Sequence, residues 1–156
     1  MTPTTQDVWT LRCDGGSRGT PGPGACAYVL AGPGGAEVEA RGEFLGVCTN
    51  NVAEYRSLIL GLAAAARHGV RTLKVYMDSE LVVRQMLGQY KVKNEGLKPL
   101  HAEARQAAAK VGAVRFESVP RDDNGHADRL VNEALDQALR RGSESPISRI
   151  LYGSLR

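Results

Sequence analysis

Between Leu11 and Leu30 the sequence LRCDGGSRGTPGPGACAYVL sets two apolar, strand-like runs on either side of a turn. The first run, Val8 to Cys13, ends on a carboxylate, Asp14, and the second spans Ala25 to Leu30. Gly15, Gly16, Gly19, Pro21, Gly22, Pro23 and Gly24 fill the interval. Gly and Pro are turn residues and Asp commonly opens a turn, so a hairpin accounts for this stretch. An acid beside residues with so little side chain can also be approached closely by a ligand backbone. Gly32 to Gly35 makes the next turn, and Ala36 to Val47 alternates weakly. Three strand-like runs joined by short turns commit the chain to an opening antiparallel meander.

The period then changes. Val52, Tyr55, Leu58, Ile59, Leu62, Ala63 and Ala66 recur at helical spacing. Asn51 is the expected N-cap with Glu54 as its capping-box partner, and Gly69 is the expected terminator after His68. Thr72 to Met77 alternates as a strand and ends on Asp78. Ser79 caps a short helix, Glu80 to Leu87; Gln89 to Pro99 is basic and poorly periodic. A helix over Leu100 to Val111, a strand over Val114 to Val119 and a loop over Pro120 to Asn124 follow. The last helix carries a continuous stripe, Ala127, Leu130, Val131, Ala134, Leu135, Ala138 and Leu139, and is expected to end at Arg141–Gly142. The order βββαβα(α)βα predicts an α/β protein of mixed α+β topology, a five-stranded mixed sheet flanked by helices.

The 156 residues suit one domain, assigned to residues 1–142. Residues 143–156 form a C-terminal tail whose Ile147, Ile150, Leu151 and Tyr152 suggest a docked segment or a linker stub. With 42% hydrophobic and 24% charged residues the composition is that of an ordinary globular protein. A net charge of +3 is too small to argue for a nucleic-acid partner alone. Its distribution says more, with Arg84, Lys91, Lys93, Lys98, Arg105 and Lys110 close together against Glu95 and Glu103. Cys13, Cys26 and Cys48 are odd in number and form no CxxC, which argues against a disulfide framework or a zinc site. A reducing, cytoplasmic setting follows, with neither a signal peptide nor a membrane span expected.

Four acids stand out. Asp14 and Asp78 end strands one and four, which sit side by side if those strands are parallel neighbours, since ligands of open α/β sheets bind beyond the carboxyl ends of strands. Glu54 lies near the start of the first long helix, on a face shared with Leu58 and Leu62. Asp128 lies in the first turn of the last helix beside Ala127 and Val131. Each alone has a plain explanation as a turn opener, a capping partner or a dipole complement. Together they send carboxylates to one edge, where they would repel one another unless a cation were bound. Hard oxygen ligands with open positions suit Mg²⁺, and two such ions about 4 Å apart can clamp the attacking and leaving oxygens of a displacement at phosphorus.

The segments CDGGSRGTPGPGACAYVL, TNNVAEYRSLILGL, VYMDSELVVRQM and NGHADRLVNEA together resemble type 1 ribonuclease H, the cellular RNase HI family, from about Trp9 to Leu139. The resemblance implies the ribonuclease H-like fold and endonucleolytic hydrolysis of the RNA strand of RNA–DNA hybrids by a two-metal-ion mechanism, leaving 5′-phosphate and 3′-hydroxyl ends. It implies a monomer that uses Mg²⁺, or Mn²⁺ in its place. Asp14, Glu54, Asp78 and Asp128 match the family's acidic metal-binding quartet. Gly15, Gly16 and Ser17 match positions near the RNA 2′-hydroxyls, and Asn50 and Asn51 match minor-groove contacts. Thr49 matches a DNA-phosphate contact, and helix capping is the alternative for Thr49 and Asn50. Three departures matter. The loop PRDDNG is short and lacks the family's mobile catalytic His; His126 is too close to Asp128 to take that role, and Arg121 is the candidate there. The segment QYKVKNEGLKP is shorter than the basic protrusion of some members, leaving Lys91, Lys93 and Lys98 for backbone phosphates. Thr20 stands where Asn is frequent, and Glu80 where a neutral residue is. These features resemble the short archaeal-type branch, also found in bacteria, whose members extend to RNA duplexes. The competing readings are a hybrid-binding module without strong catalysis and a Mg²⁺-dependent receiver-like phosphoacceptor. The opening meander argues against the latter.

Overall fold

The structure, a computed structural model, describes residues 7–144. Five strands, β1 (Val8–Ser17), β2 (Gly22–Ala31), β3 (Glu37–Cys48), β4 (Thr72–Met77) and β5 (Ala113–Ser118), form one sheet in the order β3-β2-β1-β4-β5. β1, β2 and β3 pair antiparallel, whereas β4 pairs parallel with both β1 and β5. The helices are α1 (Asn50–Arg67), α2 (Glu80–Met86), α3 (Lys98–Val111) and α4 (Gly125–Glu144), with a 3₁₀ turn at Arg121–Asn124 before α4. The meander, the mixed sheet and the element order match the sequence expectation.

β2 shows why the sheet needs helices on both faces. All its residues but Ala31 are buried, so it reads as a continuous apolar run rather than an alternating one. On one face Leu11, Leu30, Leu58, Leu62, Leu73, Val75 and Val82 pack the larger core between the sheet and the helices α1 to α3. On the other, Val131 and Leu135 of α4 pack on Ala25 and Ala27, with Phe44, Leu130 and Ala134 at the margin. The stripe read from the last helix is thus the seam of a second, smaller core. Among the described residues no helix is long and apolar enough to cross a membrane.

Several boundaries move. β1 does not stop at Cys13; it runs to Ser17, with Gly15 paired to Cys26 and Gly16 to Ala25. Those glycines are ladder residues, and the turn is confined to Arg18–Pro21, closed by Arg18 N–H to the Pro23 carbonyl at 2.8 Å. β2 likewise begins at Gly22. The N-cap of α1 is Thr49, not Asn51; its hydroxyl accepts from Val52 N–H at 3.3 Å. Glu54 therefore lies beyond the first turn and caps nothing, which removes its plain explanation. Gly69 ends α1 as expected, with φ +72° and Val70 N–H donating to the Ala65 carbonyl. Ser79 caps α2 through Val82 N–H. α3 starts at Lys98, two residues early, and α4 runs on to Glu144, past Gly142. The expected docking of Ile147 to Tyr152 lies outside the described residues.

Candidate active site

The register of β1 on β4 ends with Cys13 opposite Met77. The next residues in each strand, Asp14 and Asp78, therefore leave the parallel ladder side by side. Asp14 is 5% exposed. Glu54 arrives from the second turn of α1, which packs directly on β1: a Cβ at Gly15 would lie 2.3 Å from the Ala53 carbonyl atoms and 2.5 Å from Glu54 N. Asp128 arrives from the first turn of α4, anchored by the buried Ala127 and Val131 on either side. All four acids line one cleft of ≈ 1150 Å³.

The electrostatics show what this gathering costs. Burial, followed by the charges of Asp78 and Asp128, pushes Asp14 from the ordinary 3.8 up to about 8; a hydrogen bond from the Gly15 backbone and the Arg121 charge oppose the shift. Burial pushes Glu54 up to about 7, with the Ser79 hydroxyl opposing and Asp78 adding. Glu54 Oε2 is buried without a hydrogen-bond partner. A hard cation would supply what these groups lack, and an all-carboxylate donor set suits Mg²⁺ or Mn²⁺. Among the described residues no three Asp, Glu, His or Cys side chains are drawn together tightly enough to hold an ion by themselves. The acids ring the cleft, leaving positions for water and phosphate, as Mg²⁺ sites do.

Raised carboxylate pKa values have a definite sign for stability. The folded metal-free protein holds protons on Asp14 and Glu54 more tightly than the unfolded chain does. Their contribution is fully present below the ordinary carboxylate range and is lost as pH rises through about 7 to 8. A cation must displace those protons. Metal affinity is therefore expected to rise between pH 6 and pH 8, with proton release on binding. Titration calorimetry of Mg²⁺ or Mn²⁺ into the protein, in buffers of differing ionisation heat, measures both.

Of the other expected site residues, Gly15, Gly16, Ser17, Asn50 and Arg121 line the cleft. Asn50 ties α1 to the end of β1: its Oδ1 accepts from Ser17 N–H at 2.7 Å and from the Ser17 hydroxyl at 3.1 Å. An oxygen facing a backbone N–H fixes the amide orientation and leaves Nδ2 for a ligand. Arg121 is 78% exposed with its guanidinium 3.8 Å from Asp128 Oδ1. Thr49, Asn51, Lys91 and Lys93 do not line the cleft. Lys91 and Lys93 are exposed on the segment after α2, and Lys98 pairs with Glu95 at 2.6 Å. His126 sits outside the cleft, its Nε2 2.8 Å from Glu37 Oε1. Sequence reasoning missed Arg84, Gln89 and Asn132, which also line the cleft. Glu80 and Arg84 are an i,i+4 ion pair, the one trace of this wall that a helical wheel shows.

Comparison with known proteins bears on the fold and the family. Residues 12–134 match the family described as reverse transcriptase-like. A bifunctional protein of Mycobacterium tuberculosis is 44% identical over 129 residues, 82% of this chain and 35% of that protein. A ribonuclease HI of Halobacterium salinarum is 40% identical over 80% of this chain and 63% of its own length. The chain thus spans about a third to two thirds of the length of these relatives. Among solved structures, the RNase H1 of Halobacterium salinarum superposes with a TM-score of 0.81 at 38% identity, covering 83% of this chain and 98% of that one. A compost-derived RNase H1, solved in complex with an RNA/DNA hybrid, gives 0.80 at 40% identity over 84% of this chain and 99% of that one. With its sheet order and these likenesses in agreement, the chain belongs to the type 1 ribonuclease H family, alongside members of the short archaeal type.

Proposed function

We propose that this protein is a metal-dependent endoribonuclease that hydrolyses the RNA strand of RNA–DNA hybrids and leaves 5′-phosphate and 3′-hydroxyl ends. The observation that carries the reading is the gathering of Asp14, Glu54, Asp78 and Asp128 from four different elements onto one cleft, two of them held at an electrostatic cost that a cation removes. Two Mg²⁺ or Mn²⁺ ions held by these acids would supply an activated water and neutralise charge on the departing 3′-oxygen.

The chain's own residues do the rest. Asp14 and Asp78 are fixed by the rigid ladder between β1 and β4, Glu54 by the contact of α1 with β1, and Asp128 by the α4 seam. Ser17 and Asn50, locked to one another, present polar groups at the cleft wall where an RNA 2′-hydroxyl can be read. Arg121, exposed in the cleft beside Asp128, is a cation that can meet the phosphate as charge develops. Lys91 and Lys93 lie outside the cleft and suit contacts to the phosphates of a duplex that extends beyond it. The RNase H1 solved with an RNA/DNA hybrid supports hybrid as the substrate class.

A panel of labelled duplexes tests the reading. With Mg²⁺ or Mn²⁺ the RNA strand of the hybrid is expected to be cut, chelator is expected to stop it, and DNA duplex is expected to remain whole. RNA duplex cleavage would place the protein with the broader members of its branch. A hybrid left intact with both metals would overturn the assignment.

A further inference from the structure

Asp14 and Asp128 belong to elements far apart in the chain, and one buried side chain joins them. Asn124 is 1% exposed, and its Nδ2 donates to the carbonyl of Cys13 at 2.8 Å. Cys13 is the residue before Asp14 and the last of the parallel register with β4. Asn124 is also the residue before α4, whose first turn carries Asp128.

The plain reading of an Asn at that position is a helix N-cap, in which the side-chain oxygen accepts from a backbone N–H of the first turn. The structure excludes it. Asn124 Oδ1 is buried with no hydrogen-bond partner, and the amide is turned back toward β1. An unpaired buried acceptor is a cost that an apolar residue would avoid. The compensating bond is the one to Cys13, and what that bond does is set where α4 begins relative to β1.

A second clamp acts on the same turn. Arg12 Nη1 donates to the Asp123 carbonyl at 2.6 Å, and the guanidinium is held 4.6 Å over the Tyr76 ring. Asp123 N–H closes the turn on the Pro120 carbonyl at 2.9 Å, and Val119 N–H bonds the Met77 carbonyl at 2.8 Å. The short segment between β5 and α4 is thus bonded to the ends of both strands that carry Asp14 and Asp78.

Resting on the function proposed above, we infer that Asn124 is a positioning residue: its bond to the Cys13 carbonyl fixes the separation of Asp14 and Asp128, and so how these two acids would be presented to a divalent ion. Outer groups that orient metal ligands typically govern 10–100-fold in affinity or activity.

The test uses Asn124→Ala and Arg12→Gln in the whole chain, with two readouts. In the absence of nucleic acid, calorimetric Mn²⁺ affinity is expected to fall about tenfold in Asn124→Ala. In hybrid cleavage, kcat is expected to fall 10–100-fold with KM changed less than about threefold. Arg12→Gln loosens the same turn from its exposed side and is expected to move both readouts in the same direction, by less. It keeps the inference testable if Asn124→Ala does not fold. A folded Asn124→Ala protein, or in its place Arg12→Gln, that binds Mn²⁺ and turns over like wild type would overturn the inference, since a purely structural bond would lower Tm alone. Failure of wild type to cut hybrid would instead sink the assigned activity and is read separately.

Discussion

Asp78→Asn is expected to lower hybrid cleavage by about three orders of magnitude, ~4 kcal/mol of transition-state stabilisation, while making the metal-free protein more stable. The first effect follows from position. Asp78 follows Met77, one residue past the last rung of the parallel ladder, and its charge reaches both buried acids. Replacing it removes a negative charge and one carboxylate oxygen from the proposed metal-binding quartet, and no other described acid lines the cleft except Glu80 and Glu117, each already paired with a cation. The second effect follows from sign. Asp78 is one of the charges that raise Asp14 and Glu54, so its loss lets both ionise at lower pH within the fold. Relief of one pKa unit corresponds to about 1.4 kcal/mol, or roughly 2–4 °C in Tm for a domain of this size. The gain appears near pH 8 and fades toward pH 5, where the acids are protonated in any case. Melting curves with chelator at both pH values, beside cleavage rates with Mg²⁺, measure the pair of effects. A variant that loses activity and stability together would point to misfolding rather than to a lost ligand.

How far the site could be read before the fold was known depends on where each residue's partners lie. Asp14, Asp78 and Asp128 were legible because each stands where a periodic run stops or starts, and local period marks such places. Glu54 was singled out by the face it shares with Leu58 and Leu62, against a plain reading as a capping partner that does not hold. In the run TNN either the Thr or an Asn can cap, and the Thr49 hydroxyl reaches Val52 N–H first, so the apparent capping box dissolves and leaves a buried acid with an unpaired oxygen. The strand ends were read short at Gly15, Gly16 and Gly22 to Gly24 because composition marks these residues as turn formers. Within a sheet, a glycine with a paired backbone is simply a strand residue over which something packs closely. Asn124 opens the segment NGHADRLVNEA but left no trace of its own bond. Its partner is 111 residues away, and its own sequence neighbours, DDNGH, read as a loop. The basic segment with Lys91 and Lys93 was legible as charge but not as geometry, since exposed lysines have no fixed partners from which a contact could be inferred.

Gly15→Ala is expected to damage both the fold and the site, and by a route distinct from that of the acids. The smallness of Gly15 was read as room for an RNA backbone. The structure uses it for packing: the missing Cβ is where the α1 backbone passes, 2.3 Å from the Ala53 carbonyl carbon and oxygen and 2.5 Å from Glu54 N. No rotamer relieves such a clash, because all three atoms are main chain. Either β1 or the start of α1 must move. Overpacking of this kind costs up to about 3 kcal/mol or more, roughly 6–12 °C in Tm. The displacement falls on the peptide that carries Glu54 and on the strand residue next to Asp14, so the folded fraction should also cleave hybrid on the order of 10²-fold more slowly, as expected for a shift of about 1 Å. Gly16→Ala is the control. Its Cβ would meet only Asn50 Oδ1, at 3.9 Å, so its Tm should stay within about 2 °C of wild type, and any change in activity would report on access to the cleft. If Gly15→Ala melts and cleaves like wild type, the contact between α1 and β1 is not what sets the distance from Glu54 to Asp14, and the quartet must be held together from the α4 side alone.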